Sequence, residues 1–448
     1  MDPNYPVFAN TLETYDAYFQ DDRERYIRSE RYRRTYEAYE QFQAMTNQQA
    51  EGSGSGIKRT RTYIPRDREE AEQRLLEDYF GNDDTPPKYP EENFRRRYRM
   101  SSTLFAKIVN DITSYDAQPL PEYFRFFRQR IDALGRNSIG PILKITSAIR
   151  QLAYGTAPDA FDEYLQIAER CSRECLDNFT KCIYILYVEE YLRKPSLEDI
   201  EKTYALHEEK HGLPGMLGSI DCMHWDWKNC PKALHGQFKR NDHKYPTLML
   251  EAVADQRLWI WHAYFGVPGS NNDLNVLYGS PLFDDVLADT APEAPFVVNE
   301  RTYKQGYYLA DGIYPTWSTF VKTFSIARDE KTLKFKRVQE SARKDIERAF
   351  GVLQGRWGII RQPARALQIN TLRRIMYCCI ILHNMILQSE KFELSNFKDM
   401  FVNPETNMQR TWIERCDLHV RRSKELRDSL VHNELRHDLV NHLWNLDH

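Results

Sequence analysis

The chain has 448 residues, 41% of them apolar, and a formal net charge of −3. That length exceeds one ordinary core, so two or three domains with a sizeable buried interior are expected. No apolar run reaches the length of a membrane span, and Met1-Asp-Pro-Asn-Tyr-Pro6 lacks the pattern of a secretory leader, so the expectation is a soluble intracellular protein with no membrane partner.

Residues 1–66 read as a disordered or partner-docking tail. Tyr15, Tyr18, Tyr26, Tyr32, Tyr36 and Tyr39 lie among mixed charges with few aliphatic neighbours, and Gly52-Ser-Gly-Ser-Gly56 has the composition of a flexible linker. Lys58-Arg-Thr-Arg61 suits a nuclear import signal, a phosphate contact or a solvated loop equally well.

Residues 67–200 read as helical. A helix is expected from Arg68 to Phe80, and another where Leu104, Phe105, Ile108, Val109 and Ile112 recur at helical spacing. Farther on, a helix from Pro141 to Tyr154, a break at Gly155–Pro158, a short helix over 160–164 and a longer one over 172–191 give a helix-turn-helix-like layout. Any small α-bundle gives the same pattern. If the second helix meets DNA, Arg173 and Lys181 are its candidate contacts, with Glu174 and Asp177 reducing the attraction.

Residues 201–390 change character. After a helix near 197–209, apolar segments around Gly218-Ser-Ile-Asp221, Thr247–Ala254, Leu258–Val267 and Tyr307–Asp311 read as strands, the middle pair antiparallel and joined by Asp255-Gln-Arg257. A helix starts after Pro268–Asp273. In the next helical stretch Ala342, Ile346, Ala349, Phe350 and Leu353 form one buried stripe with Glu347 at its border. Residues 377–387 continue the core, and 391–448 read as a helical tail in which Leu435, Leu439, Leu443 and Leu446 pack on the core or on another chain.

Three carboxylates stand out: Asp221 within one strand, Asp311 at the end of another and Glu347 on the helix. Brought together, they would repel one another unless hard cations such as Mg²⁺ neutralised them, the requirement of two-metal phosphoryl transfer. Taken singly, an Asp at a strand end is more often a turn former or helix cap than a ligand. By that logic Asp255 is assigned to a turn and Asp273 to capping the helix start. His224, three positions after Asp221 on the same strand, faces the other side and takes a structural role. Between Lys331 and Arg374 there are twelve Lys or Arg against Glu340, Asp345 and Glu347, the charge expected beside DNA phosphates. Arg343, Lys344, Arg348 and Arg356 are the candidate phosphate contacts, with Trp357 buried. The eight cysteines show neither paired Cys-x-x-Cys spacing nor matching histidines, so reduced thiols are expected.

Gly218-Ser-Ile-Asp-Cys-Met-His224, Leu309-Ala-Asp-Gly-Ile-Tyr-Pro315, Ile346-Glu-Arg-Ala-Phe-Gly-Val-Leu-Gln-Gly-Arg-Trp357 and Leu382-His-Asn384 resemble, in order, the successive blocks of PIF/Harbinger DDE transposases. The plant branch with the Pong and Ping elements is the nearest in pattern, over about Phe94 to Leu387. Cys222 and Met223 stand where many animal relatives carry Gly-Thr. The resemblance implies an α/β fold: an RNase H-like mixed-sheet catalytic domain preceded by an all-α helix-turn-helix-like domain. It implies Asp221, Asp311 and Glu347 as catalytic, metal-binding residues for two Mg²⁺ ions, with Mn²⁺ as a substitute. It also implies action in the nucleus on element ends and T/A-rich target DNA, a homo-oligomer on DNA, and a Myb-like protein partner encoded by the same element. Water would attack at the element end, and the exposed 3′-hydroxyl would then attack target DNA. Two other readings stay open: a domesticated DNA- or chromatin-binding relative without cleavage, and a nuclease acting on RNA or repair intermediates.

Overall fold

The computed structural model describes residues 64–390 and 412–446, apart from 83, 132–134 and 136. Most of the expected tail, with its Gly-Ser linker and the Lys58–Arg61 cluster, lies outside the described residues, as do residues 391–411. The helical region and the sheet region share one unit, Arg68–His448.

The first helices are α1 (Arg68–Tyr79), α2 (Glu91–Tyr98) and α3 (Ser102–Ser114). Ser101 caps α3 by accepting from the Leu104 N–H at 3.2 Å, which fixes where the helix starts. Helix α4 (Pro141–Tyr154) begins with proline at its first turn and ends at Gly155 in the left-handed region. There a Cβ would stand 2.6 Å from the Gly358 carbonyl oxygen, so glycine permits the close approach of a distant segment. Helix α5 (Glu169–Tyr191) follows, then α6 (Leu197–His211), opened by a reciprocal Ser196–Asp199 capping box.

The sheet comprises β1 (Met216–Asp226), β2 (Thr247–Ala254), β3 (Ile260–Pro268), β6 (Tyr307–Ala310) and β7 (Phe320–Lys322) in the order β3-β2-β1-β6-β7. Strand β2 is antiparallel to both neighbours, while β1, β6 and β7 run parallel. Helix α7 (Asp273–Gly279) leaves the end of β3, and a small hairpin of β4 (Phe296–Val298) and β5 (Arg301–Tyr303) precedes β6. The long helices α8 (Glu330–Arg356), α9 (Ile369–Ser389), α10 (Trp412–Leu426) and α11 (Ser429–Asn445) follow among the described residues.

Both faces of the sheet are covered, which explains why β2 is buried throughout. On one face Leu309 and Val321 pack with Phe335 and Ala342 of α8 and Leu439 and Leu443 of α11, so the terminal helix docks on the core. On the other, Ile220, Val253, Ala310 and Phe320 pack with Leu277 of α7, Phe283 and Tyr314. Helix α9 is buried almost along its length because it lies between α5 and β3. His383 and Asn384 make that junction. His383 Nε2 bonds the Leu258 carbonyl at 2.8 Å, and Asn384 bonds the Ile260 N–H and carbonyl as well as the Tyr191 carbonyl. Burial next to Arg356 pushes His383 down to about 3.

Among the described residues no helix is long and apolar enough to cross a membrane.

Candidate active site

Asp221 sits mid-strand in β1, paired with Ala252, where most strands would place an apolar residue. A β-bulge between Met216 and Gly218 sets its register against β6. Gly218 is required there, because a Cβ would stand 2.6 Å from the Ala254 oxygen. Asp311 follows the last residue of β6, and its carboxylate accepts from the Ile313 N–H at 3.0 Å. Parallel pairing of β1 with β6 therefore brings the two aspartates to adjacent strands.

Glu347 arrives from α8. The expected stripe of Ala342, Ile346, Ala349, Phe350 and Leu353 is buried, and Glu347 at its border keeps 46% of its side chain exposed. Arg343, one turn earlier, joins the two elements: its guanidinium lies 2.9 Å from Glu347 Oε1 and 3.3 Å from Asp221 Oδ2. A cation thus already lies between two of the three carboxylates.

Burial pushes Asp221 up to about 6. The Cys222 N–H and Arg343 act against the shift, and the negative charges of Asp311 and Asp273 add to it. Asp273 is itself raised, first by burial and then by Asp311. This corrects the expectation that Asp273 caps α7. Asn272 is the cap, accepting from the Asn275 N–H at 2.9 Å, and Asp273 faces the acidic group and Cys222. The Asn272-Asp273 pair carried that signal in part, since only one of two adjacent capping residues can occupy the cap. Cys222, whose thiol burial and then Asp273 hold well above the ordinary range, lies 3.7 Å from the Tyr314 hydroxyl. Glu251, opposite Cys222 on β2, is fully buried; one oxygen meets His262 at 3.2 Å and the other has no partner.

Oxygen-only donors with excess negative charge suit a hard divalent cation. Among the described residues, however, no three His, Cys, Asp or Glu side chains stand close enough together to hold one. The donor chemistry fits, but Arg343 occupies the place between Asp221 and Glu347.

The basic candidates are divided. Lys344 is exposed on α8, whereas Arg348 pairs with the buried Asp345, and half-buried Arg356 bonds His383 Nδ1 at 3.0 Å. On α5, Arg173 pairs with Glu169, and Lys181 lies 2.9 Å from Asp177, which Arg374 also holds at 2.7 Å. Asp255 does occupy a turn, His224 bonds Thr247 and Arg240, and Trp357 is fully buried.

A mixed sheet clad by helices on both faces, with carboxylates from two adjacent strands and a following helix, defines an α/β protein with an acidic site. Residues 189–393 match the family model described as plant transposon protein, and residues 72–113 match a domain of unknown function. Over 253 residues the chain is 24% identical to "Protein ALP1-like" of Arabidopsis thaliana, covering 55% of this chain and 61% of that protein. It is 22% identical to human "Putative nuclease HARBI1" over 280 residues, 59% of this chain and 75% of that protein, and 23% identical to the bovine form. These matches support a Harbinger-type, transposase-derived family. No solved structure matches.

Proposed function

We propose that this chain is a metal-dependent DNA nuclease of transposase type, with an RNase H-like sheet and with Asp221, Asp311 and Glu347 as its metal-holding carboxylates. The observation that carries the reading is Asp221: a carboxylate pushed up by burial and by two acidic neighbours, held in mid-strand with one backbone donor and a shared arginine. A sheet in which only β2 is reversed, followed by the Glu347 helix, supports the fold. Bound Mg²⁺ would supply Lewis acidity toward a phosphodiester. This chain's own part is to gather the carboxylates, to release Arg343 from between Asp221 and Glu347, and to present Lys344 to the backbone of DNA. Excision of a Pong- or Ping-like element in the nucleus, in an oligomer and with a Myb-like partner, is the fuller form of the proposal.

One observation favours the second reading, a domesticated binding protein without cleavage: Arg343 bridges the very carboxylates that a metal would have to share. A strand-cleavage assay with purified protein, partner, Mg²⁺ and element-end DNA separates the two. The nuclease reading expects cutting that falls by about a thousandfold or more in Asp311→Ala, the scale of losing a principal electrostatic group. Equal cutting by both proteins would remove the site assignment, and cutting by neither would favour the binding protein.

A further inference from the structure

Between β1 and β2 the chain makes an excursion, residues 227–246, that carries Lys228, Lys232, Lys239, Arg240 and Lys244 against Asp242 as its one acid. Arg240 answers Asp242 at 2.9 Å, and Asp226 at the end of β1 bonds His243 at 3.0 Å, so among the described residues Asp226 is the one nearby carboxylate without an arginine or lysine partner of its own against four lysines. All four lysines are exposed. Such an unbalanced set differs from α5, where bases and acids alternate in pairs.

The excursion is rigidly framed. Trp227, fully buried, donates its indole N–H to the Ala366 carbonyl at 2.8 Å, and the Phe238 ring packs on it at 5.3 Å. The Lys228 N–H reaches the Ala364 carbonyl at 3.0 Å, and the Asn229 amide reaches the Arg365 carbonyl at 2.8 Å. Those bonds set the excursion beside a segment that adds exposed Arg361 and Arg365, with no acid from Gly358 to Arg374. Two stretches far apart in sequence thereby form one basic face. Of its aromatic side chains Trp227 and Phe238 are buried and Tyr245 is half-buried under the Lys244 ammonium; no large apolar side chain is exposed between Lys228 and Lys244, and on the adjoining segment Leu367 alone is. A protein partner would ordinarily need an apolar or aromatic anchor, whereas a phosphate backbone needs only charge.

The face borders the acidic site. Arg240 Nη1 lies 3.0 Å from His224 Nε2, on the face of β1 opposite to that of Asp221, and from that side its charge reaches Asp273. The Ser270 hydroxyl, just before α7, donates to the Gln237 carbonyl at 2.5 Å. From Asp221 to Asp226 the strand advances about 17 Å, or about five steps of a DNA strand.

We propose that Lys228, Lys232, Lys239, Lys244, Arg361 and Arg365 form a clamp for the phosphate backbone of duplex DNA, about half a helical turn from the carboxylates. The placement of the cut strand rests on the nuclease reading; the clamp itself does not.

The test replaces Lys228, Lys232, Lys244 and Arg365 together by Gln in the full chain and measures binding of a labelled duplex over a salt series without Mg²⁺. Each lost phosphate contact shallows the slope of log affinity against log salt by about 0.9, so the variant should lose about 3 to 4 from the slope and bind at least about tenfold more weakly at low salt. The circular dichroism spectrum and melting temperature should match those of the parent, and the loss should be the same for unrelated duplex sequences. An unchanged slope in a folded variant, or a parent protein that does not bind duplex DNA, would overturn the clamp. A parent that binds with the expected slope yet never cuts would break the nuclease reading alone.

Discussion

Two aspartates on the central sheet make opposite use of being buried. Asp255, just past β2, is fully buried, yet its carboxylate accepts from the N–H groups of Arg257 and Trp259, from the Trp261 indole at 3.1 Å and from the Arg257 guanidinium at 2.9 Å. Asp221 is less deeply placed, but it receives only the Cys222 N–H and a share of Arg343, with Asp311 and Asp273 nearby. Depth therefore does not mark the site. What separates the two is whether the fold answers the charge: at Asp255 it does so fully, and at Asp221 it leaves a surplus that an incoming cation could meet.

The largest expected effect is at the satisfied member. Asp255→Ala should lower folding stability by about 3–5 kcal/mol, because Arg257, the Trp261 indole and two backbone N–H groups lose their acceptor together. Chemical denaturation measures this, and a loss near zero would erase the contrast.

Asp221→Asn should act in the opposite direction. A carboxylate raised in the folded state binds its proton more readily there than in the unfolded chain, so folded stability falls as pH rises from the ordinary carboxylate range to about 6. The amide removes that dependence and should raise metal-free stability at neutral pH by about 1–3 kcal/mol. Melting curves across this window check it; destabilisation at neutral pH would place Asp221 with Asp255.

A smaller shift is expected at the bridge between them. Arg343→Gln takes away the cation that opposes the raising of Asp221, so the aspartate should titrate higher than in the parent chain, as carboxyl NMR would show. The smallest effect belongs to α5. Arg173→Ala and Lys181→Ala should leave the salt dependence of DNA binding nearly unchanged, since both bases already pair with acids on their own helix.

The parts of this arrangement that depend on local pattern were open to reading in the sequence. The stripe on α8, the exposed border position of Glu347, the β2–β3 hairpin and the ends of α4 follow from helical period, alternation and glycine placement. Even half of the Arg343 bridge is local, being one helical turn from Glu347. Its other half, to Asp221, joins residues 122 positions apart and exists only once α8 lies across β1. The same limit applies to Asp273, whose acidic surroundings come from Glu251 on β2 and from Asp311 at the end of β6. It applies also to the basic face, whose two segments meet through backbone bonds at Ala364 and Arg365. The bounds of α4 were legible, whereas the short helix spans Asp162–Leu165 rather than 160–164 and α5 starts at Glu169 rather than at residue 172; the deep burial of α4 and the acid-paired face of α5 depend on what packs against them and were not legible.

Calorimetric titration of Mn²⁺ or Mg²⁺ into the purified protein tests the central claim most directly, without recourse to cleavage. The account predicts saturable binding in the parent chain that is lost in Asp221→Asn and in Asp311→Asn but kept in a folded Glu300→Gln control on the surface. Binding that persists unchanged in both site variants would contradict it.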